Sequence, residues 1–233
     1  MPHSNNPTAP ALLEVESLSA RDGAQDLVLK TTAGPIRARF HGGTAGVPAV
    51  IWVFGSGGGV GGPAGGVYER LGQRLAPDVA ASLQIDYRRP GDLRWCVADV
   101  QIGTEYARSR GHESFVLVGH SFGGAVVISS ALVVPRVIAV AALSSQTSGA
   151  TSIAQLRPRP VFLAHGEDDE ILPASCSTTL YALAGEPKEL FLYPGCRHGL
   201  DACRDQLDTD LETWLRRVLS PDRTSALKVP DPG

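Results

Sequence analysis

Phe115-Val-Leu-Val-Gly-His-Ser-Phe-Gly-Gly-Ala-Val-Val constrains this chain more than any other stretch. Four apolar residues suited to a buried strand run without a linker into a glycine-flanked serine. Small apolar residues suited to a helix follow at once. Gly119 and Gly123 leave room for a turn tight enough to lift the Ser121 side chain clear of the backbone. The helix start behind the serine adds N–H groups without intrahelical partners and the positive end of a dipole. A strand, a sharp turn and a helix are therefore predicted here, with Ser121 at the apex.

The surrounding chain repeats that rhythm. Residues 14–40 read as two or three strands joined by turns at Arg21-Asp22-Gly23-Ala24 and Ala33-Gly34-Pro35, an antiparallel start. Strands are then expected at 50–54, 79–87, 115–118, 137–143, 161–165 and 189–193. Helices are expected at 67–75, 92–109, 122–133 and 174–184, with a last one carrying Leu200, Cys203, Leu207, Leu211, Trp214 and Val218 at helical spacing. Buried strands separated by helices imply an α/β fold: a mostly parallel central sheet with an antiparallel N-terminal edge and helices on both faces. One domain over 14–219 is expected, with 1–13 and 220–233 as disordered tails rich in Pro, Ser, Asn and Asp. The segment 144–160 is too short for a cap domain.

Composition removes several function classes. With 233 residues, 43% hydrophobic and a net charge of −3, the chain can bury a core but lacks the basic footprint of a nucleic-acid binder. Residues 1–13 have no basic n-region or apolar core, and no apolar run reaches the roughly 18 residues of a membrane span. A cytoplasmic protein without nucleic-acid or membrane partners is expected. Four cysteines without a CxxC pair give neither a disulfide framework nor a structural zinc spacing. Cys196 and Cys203 are close enough to staple a loop, but Cys203 on the apolar face of a helix favours a free thiol. Their pairing is left open.

A serine hydroxyl becomes a useful nucleophile when a base takes its proton and an acid orients that base. Of six histidines, His198 is the one on a late loop between the last strand and the last helix. His120 lies inside the turn, and His165 ends a strand. The acid comes from Glu167-Asp168-Asp169-Glu170, where either aspartate is short enough to hold an imidazole rigidly. A backbone N–H of Phe122 and one from the run Gly55–Gly62 can meet an oxyanion. The same run reads as Gly57-x-Gly59-x-x-Gly62 after a strand, with Asp86 ending the next one, a match to a dinucleotide fingerprint. Against that reading stand the absence of a Tyr-x-x-x-Lys pair and the late helix start near Val67. Tyr87 and Arg88 end a strand at the same edge and are candidate substrate contacts.

Gly119-His-Ser-Phe-Gly-Gly124, His165-Gly-Glu-Asp-Asp169-Glu-Ile-Leu-Pro173 and Gly195-Cys-Arg-His198-Gly199 together resemble the α/β-hydrolase superfamily in its order Ser, Asp, His. Within it the chain is similar to the small, lid-poor dienelactone-hydrolase-like and carboxylesterase groups. The resemblance selects Asp169 over Asp168 and implies a catalytic set of Ser121, Asp169 and His198. By position it gives the oxyanion donors as Ser56 and Phe122, with Gly57 as the fallback for Ser56. It also implies no cofactor, no metal and a small-molecule ester as substrate. Dienelactone hydrolases carry a cysteine nucleophile where this chain has Ser121. The expected function is thus a serine esterase with an open site. A thioesterase, small amidase or polyester hydrolase would use the same residues. A dinucleotide-binding oxidoreductase and a non-catalytic binding protein are the alternatives from other classes.

Overall fold

The computed structural model describes residues 10–21 and 23–220. Three N-terminal strands, β1 (Leu12–Arg21), β2 (Ala24–Thr31) and β3 (Ile36–His41), pair antiparallel in succession, and β3 continues antiparallel onto β5 (Ala81–Asp86). β1 begins at Leu12, inside the stretch expected as a tail; 1–9, Asp22 and 221–233 lie outside the described residues. From β5 onward every pairing is parallel, through β4 (Ala49–Val53), β6 (Phe115–His120), β7 (Val137–Leu143), β8 (Val161–Gly166) and β9 (Lys188–Tyr193). The nine strands lie in the order β1-β2-β3-β5-β4-β6-β7-β8-β9.

Helices α1 (Pro63–Leu75), α2 (Leu93–Ser109), α3 (Phe122–Ser130), α4 (Ser175–Leu183) and α5 (Arg204–Val218) complete the fold. Every residue of β4, β6, β7 and β8 is buried, as expected for parallel strands covered on both faces. Val50, Trp52, Val116, Val118 and Phe162 pack with Tyr68 and Leu71 of α1 and Leu211 and Trp214 of α5. Alternate residues Ile51, Val53, Phe115, Leu117 and Leu163 point the other way, towards Val100 of α2, Val126 of α3 and Leu180 of α4. The sheet therefore separates two apolar layers.

Chain order reverses around β4, whose neighbours are β5 on one side and β6 on the other. A crevice opens outside the carboxyl ends of strands at such a switch point. The loops after β4 and β6, which carry Ser56 and Ser121, meet there. Between β7 and β8 the chain makes one short 3-10 turn, Thr151–Leu156, with Ile153 and Leu156 buried, so no cap domain is built over that crevice. Among the described residues no helix is long and apolar enough to cross a membrane.

At the end of β5 the structure corrects one expectation. Arg88 does not face the crevice with a free guanidinium. Its Nε donates to Asp99 Oδ1 at 2.6 Å, its backbone N–H to Asp99 Oδ2 at 2.8 Å, and its Nη1 to Thr31 Oγ1 at 2.9 Å. The Asp99 side chain is 0% exposed and that of Arg88 5%. Burial outweighs the Arg88 contacts and raises the Asp99 pKa above its ordinary value. The pair ties α2 to β5 and the N-terminal edge. Removing one partner of such a pair strands a buried charge, so Arg88→Met should lower unfolding free energy by about 3 kcal/mol or more in urea titrations. The double variant Arg88→Met/Asp99→Leu should recover most of that loss.

Candidate active site

Ser121 sits between β6 and α3 with φ 57 and ψ −122, a conformation non-glycine residues rarely hold. Its surroundings impose it. A Cβ at Gly119 would lie 2.1 Å from the Gly123 carbonyl oxygen, and one at Gly123 would lie 2.4 Å from that of Phe54. Only glycine lets β6, the start of α3 and the end of β4 approach so closely. The Ser121 N–H donates to the Leu143 carbonyl at 2.8 Å, anchoring the turn to β7.

His198 and Asp169 arrive from loops beyond β9 and β8. His198 Nε2 is 3.1 Å from Ser121 Oγ, and its Nδ1 is 2.7 Å from Asp169 Oδ2. The Asp169 carboxylate is 0% exposed and surrounded by donors. Oδ1 accepts the backbone N–H groups of Ile171 and Leu172, both at 2.8 Å, while Oδ2 faces His198 and also His165 Nε2 at 3.0 Å. Burial pushes its pKa up, but the Leu172, His198 and Ile171 donors outweigh burial, and the net shift is downward. An anionic, oriented carboxylate, a partly exposed imidazole and a serine hydroxyl form one hydrogen-bonded line. Of the four acids in this turn, Glu167, Asp168 and Glu170 are exposed; Glu170 Oε2 still accepts the His198 N–H at 3.3 Å.

The His198 loop is gripped from below. His120 Nε2–H donates to the His198 carbonyl at 2.9 Å, and the two rings lie 4.8 Å apart. Ala64 N–H donates to the Gly199 carbonyl at 2.7 Å, and Asp168 N–H to that of Cys196 at 3.0 Å. The Cys196 carbonyl crosses so close to Gly166 that a Cβ there would lie 2.1 Å from it. Cys196 and Cys203 form a disulfide around the loop, with Cα atoms 5.8 Å apart, which corrects the expectation of a free thiol. α5 starts at Arg204, so Cys203 precedes the helix and turns back towards Cys196. Cys96 and Cys176 are free and lie on α2 and α4.

The glycine run after β4 folds back on β5. Gly59 N–H donates to Asp86 Oδ1 and Gly61 N–H to Gln84 Oε1, both at 2.7 Å. The N–H groups a pyrophosphate would need are thus held internally, and Asp86 grips the loop where a dinucleotide site would offer it to a ribose. Ala64, Gly65 and Gly66 have left-handed φ, so the regular turns of α1 begin at Val67. Ser56 is exposed at the mouth of this run, and the Phe122 N–H opens α3 without an intrahelical acceptor. Tyr87 is buried behind them. Its O–H reaches the Phe54 carbonyl at 3.4 Å and its ring meets Phe122 edge-on, so it backs the site rather than lining it. Among the described residues no His, Cys, Asp and Glu cluster is arranged to hold a metal ion.

Residues 67–216 match the model of the Dienelactone hydrolase family, a span of more than half the chain. The protein belongs to that family. It has the α/β-hydrolase fold. Among curated proteins, the uncharacterized protein YfhR of Escherichia coli O157:H7 is 39% identical over 79 residues, 34% of this chain and 28% of YfhR. Among solved structures, Est1E from Butyrivibrio proteoclasticus superposes with a TM-score of 0.72 at 14% identity, covering 83% of this chain and 98% of its own. The esterase domain of a Rhodothermus marinus protein gives 0.69 at 18%, covering 84% and 100%. Acetyl Xylan Esterase 1 from Thermoanaerobacterium sp. gives 0.63 at 16%, covering 87% of each chain. At these identities the likeness is one of fold.

Two measurements follow from the grip on the His198 loop. Denatured but unreduced protein should take up two iodoacetamide groups, and four after reduction. Replacing both Cys196 and Cys203 by Ala should lower stability by about 2 kcal/mol through freer loop ends in the unfolded chain. His120 gives a pH signature. Burial lowers its pKa from 6.5 to about 4, against the pull of the His198 carbonyl, so the folded protein keeps it neutral. The stability it contributes is complete above pH 6.5 and is lost as pH falls towards 4. His120→Phe should flatten that fall by up to about 3 kcal/mol in denaturation curves taken across this window.

Proposed function

We propose that this protein is a serine hydrolase of carboxylic esters, with Ser121 as nucleophile, His198 as general base and acid, and Asp169 as the orienting carboxylate. The observation that carries this reading is the unbroken line from Ser121 Oγ through His198 to Asp169, at 3.1 and 2.7 Å. Ester substrates are supported by the neighbours named esterases, the Rhodothermus marinus esterase domain and Acetyl Xylan Esterase 1 among them.

In this mechanism His198 Nε2 takes the Ser121 proton as Oγ attacks the ester carbonyl. The resulting imidazolium is stabilised by Asp169, which is fixed through three hydrogen bonds, with His165 Nε2 3.0 Å from Oδ2, and needs no rearrangement as charge develops. The tetrahedral oxyanion is met by the N–H of Phe122 and that of Ser56, with Gly57 as the alternative donor on the same loop. Loss of one such donor costs about 3 kcal/mol of transition-state stabilisation. His198 returns the proton to the leaving alcohol, and water then attacks the acyl-enzyme through the same imidazole. Thioesters and amides would follow the same path and differ only in the leaving group. With no cap over the crevice, small or surface-presented esters fit better than long acyl chains that need a deep tunnel.

Treatment with a fluorophosphonate tests the reading directly. One adduct is expected by intact mass, mapping to Ser121 and absent in Ser121→Ala. A folded wild-type sample that takes no label would sink the assignment. Asp169→Asn should keep the fold and lower kcat on p-nitrophenyl acetate by about 10³–10⁴, because it favours the wrong His198 tautomer.

A further inference from the structure

His165 is not in the line that carries protons from Ser121, yet it is bonded to the far end of it. Its imidazole is wholly buried at the end of β8 and meets three oxygens. Nε2 lies 3.0 Å from the Leu172 carbonyl and 3.0 Å from Asp169 Oδ2, and Nδ1 lies 2.7 Å from Ser177 Oγ on α4. A carbonyl and a carboxylate only accept, so Nε2 carries the proton. Nδ1 is then a lone pair, and the Ser177 hydroxyl donates to it. Burial lowers the ring's pKa, which favours this neutral tautomer.

We propose that His165 is a positioning residue for the reaction above: its single Nε2–H, oriented by Ser177, donates to the Leu172 carbonyl and is shared with Asp169 Oδ2 3.0 Å away, and that shared proton limits how strongly the oxygen holds His198. The proposal rests on the Ser121–His198–Asp169 reading. Asp169 does not need His165 to stay in place, since two backbone N–H groups hold Oδ1. What His165 changes is charge. Among the described residues only His198 and His165 bring donors to Oδ2. A donor there draws negative charge from the oxygen and weakens its pull on the His198 Nδ1–H. His165 thereby tempers the hold of Asp169 on the His198 Nδ1–H, the group whose ring must accept the serine proton. The other titratable or charged groups facing His198 are His120 against its ring, Glu170 on its N–H, and Arg197 beside it in sequence. None of the three is a hydrogen-bond partner of His165, whose bonds go to Leu172 and Ser177.

The test is the His198 ring pKa, read by ¹H–¹⁵N NMR in the free enzyme, alongside the pH profile of kcat/KM on p-nitrophenyl acetate. With His165→Leu the His198 pKa should rise by about half to one unit, and the acid limb should move up with it. At pH values below the limb the rate should then fall about 3- to 10-fold. His165→Gln, whose amide nitrogen can occupy the Nε2 position, should restore the wild-type limb. Ser177→Ala, which releases the tautomer, should shift it in the same direction by less. An unmoved His198 pKa in His165→Leu would overturn the proposal, as would equal losses of kcat in Leu and Gln without a shift, the mark of packing alone. If His165→Leu does not fold, Ser177→Ala decides by the same shift or its absence. Fluorophosphonate labelling of wild type separates the two readings. No adduct overturns the hydrolase itself, whereas an adduct with an unmoved His198 pKa overturns only the role of His165.

Discussion

The rest of the site depends on one close approach: the backbones of β6, α3 and β4 meeting at Gly119, Gly123 and the Phe54 carbonyl. No side chain fits between them. The approach fixes the height of Ser121 above the sheet, and it brings the loop after β4 beside the first N–H of α3. Ser121 and the Phe122 N–H, built on one contact, cannot drift independently. Positive φ at Ser121 is sustained by the neighbours on all sides, among them the Leu143 carbonyl that receives its N–H.

Opposite electrostatic environments sit within a few ångströms of that contact. Asp169 is buried but saturated with donors, so it remains an anion; His120 is buried against a carbonyl and two rings, so it remains neutral. His198 lies between them and is the one partly exposed member. The His198 imidazole thus faces a fixed negative group on one side and an uncharged, polarizable stack on the other. Both neighbours also hold its loop: Asp169 through Nδ1, His120 through the carbonyl.

Most of this was legible in the sequence because it follows from local rules. Gly119, Ser121 and Gly123 can be read as one turn from residue types alone, and the strand–helix alternation located every element of the parallel sheet. The aspartate was not separable that way. Asp168 and Asp169 are chemically equal in the sequence, and a family pattern was needed to choose; in the fold, Asp168 uses its N–H on the Cys196 carbonyl while Asp169 turns its carboxylate inward. Cys203 was misplaced by one residue of helix boundary, enough to hide a disulfide. Arg88 looks like an available cation because its partner, Asp99, lies nearly two helical turns into α2, a pairing that spacing alone does not reveal. The role of Asp86 was also hidden, since an acid ending a strand after a glycine run fits a ribose as well as a loop N–H.

A site without a cap has to obtain its order from beneath rather than from above. Here the segment between β7 and β8 offers only one 3-10 turn, so among the described residues it puts no cap over the crevice. The compensation is visible in where polar groups are spent. Gly59 and Gly61 N–H are held by β5, the carbonyls of Cys196, His198 and Gly199 are held by Asp168, His120 and Ala64, and Arg70 bridges the Ala64 carbonyl to Asp208 of α5. The left-handed run at 64–66 follows from the same need: it turns the Ala64 N–H towards the His198 loop before α1 can begin its regular turns. Each loop of the candidate site is pinned by its backbone from the protein side, leaving its solvent side open. An open site of this kind gains its preorganisation without having to move.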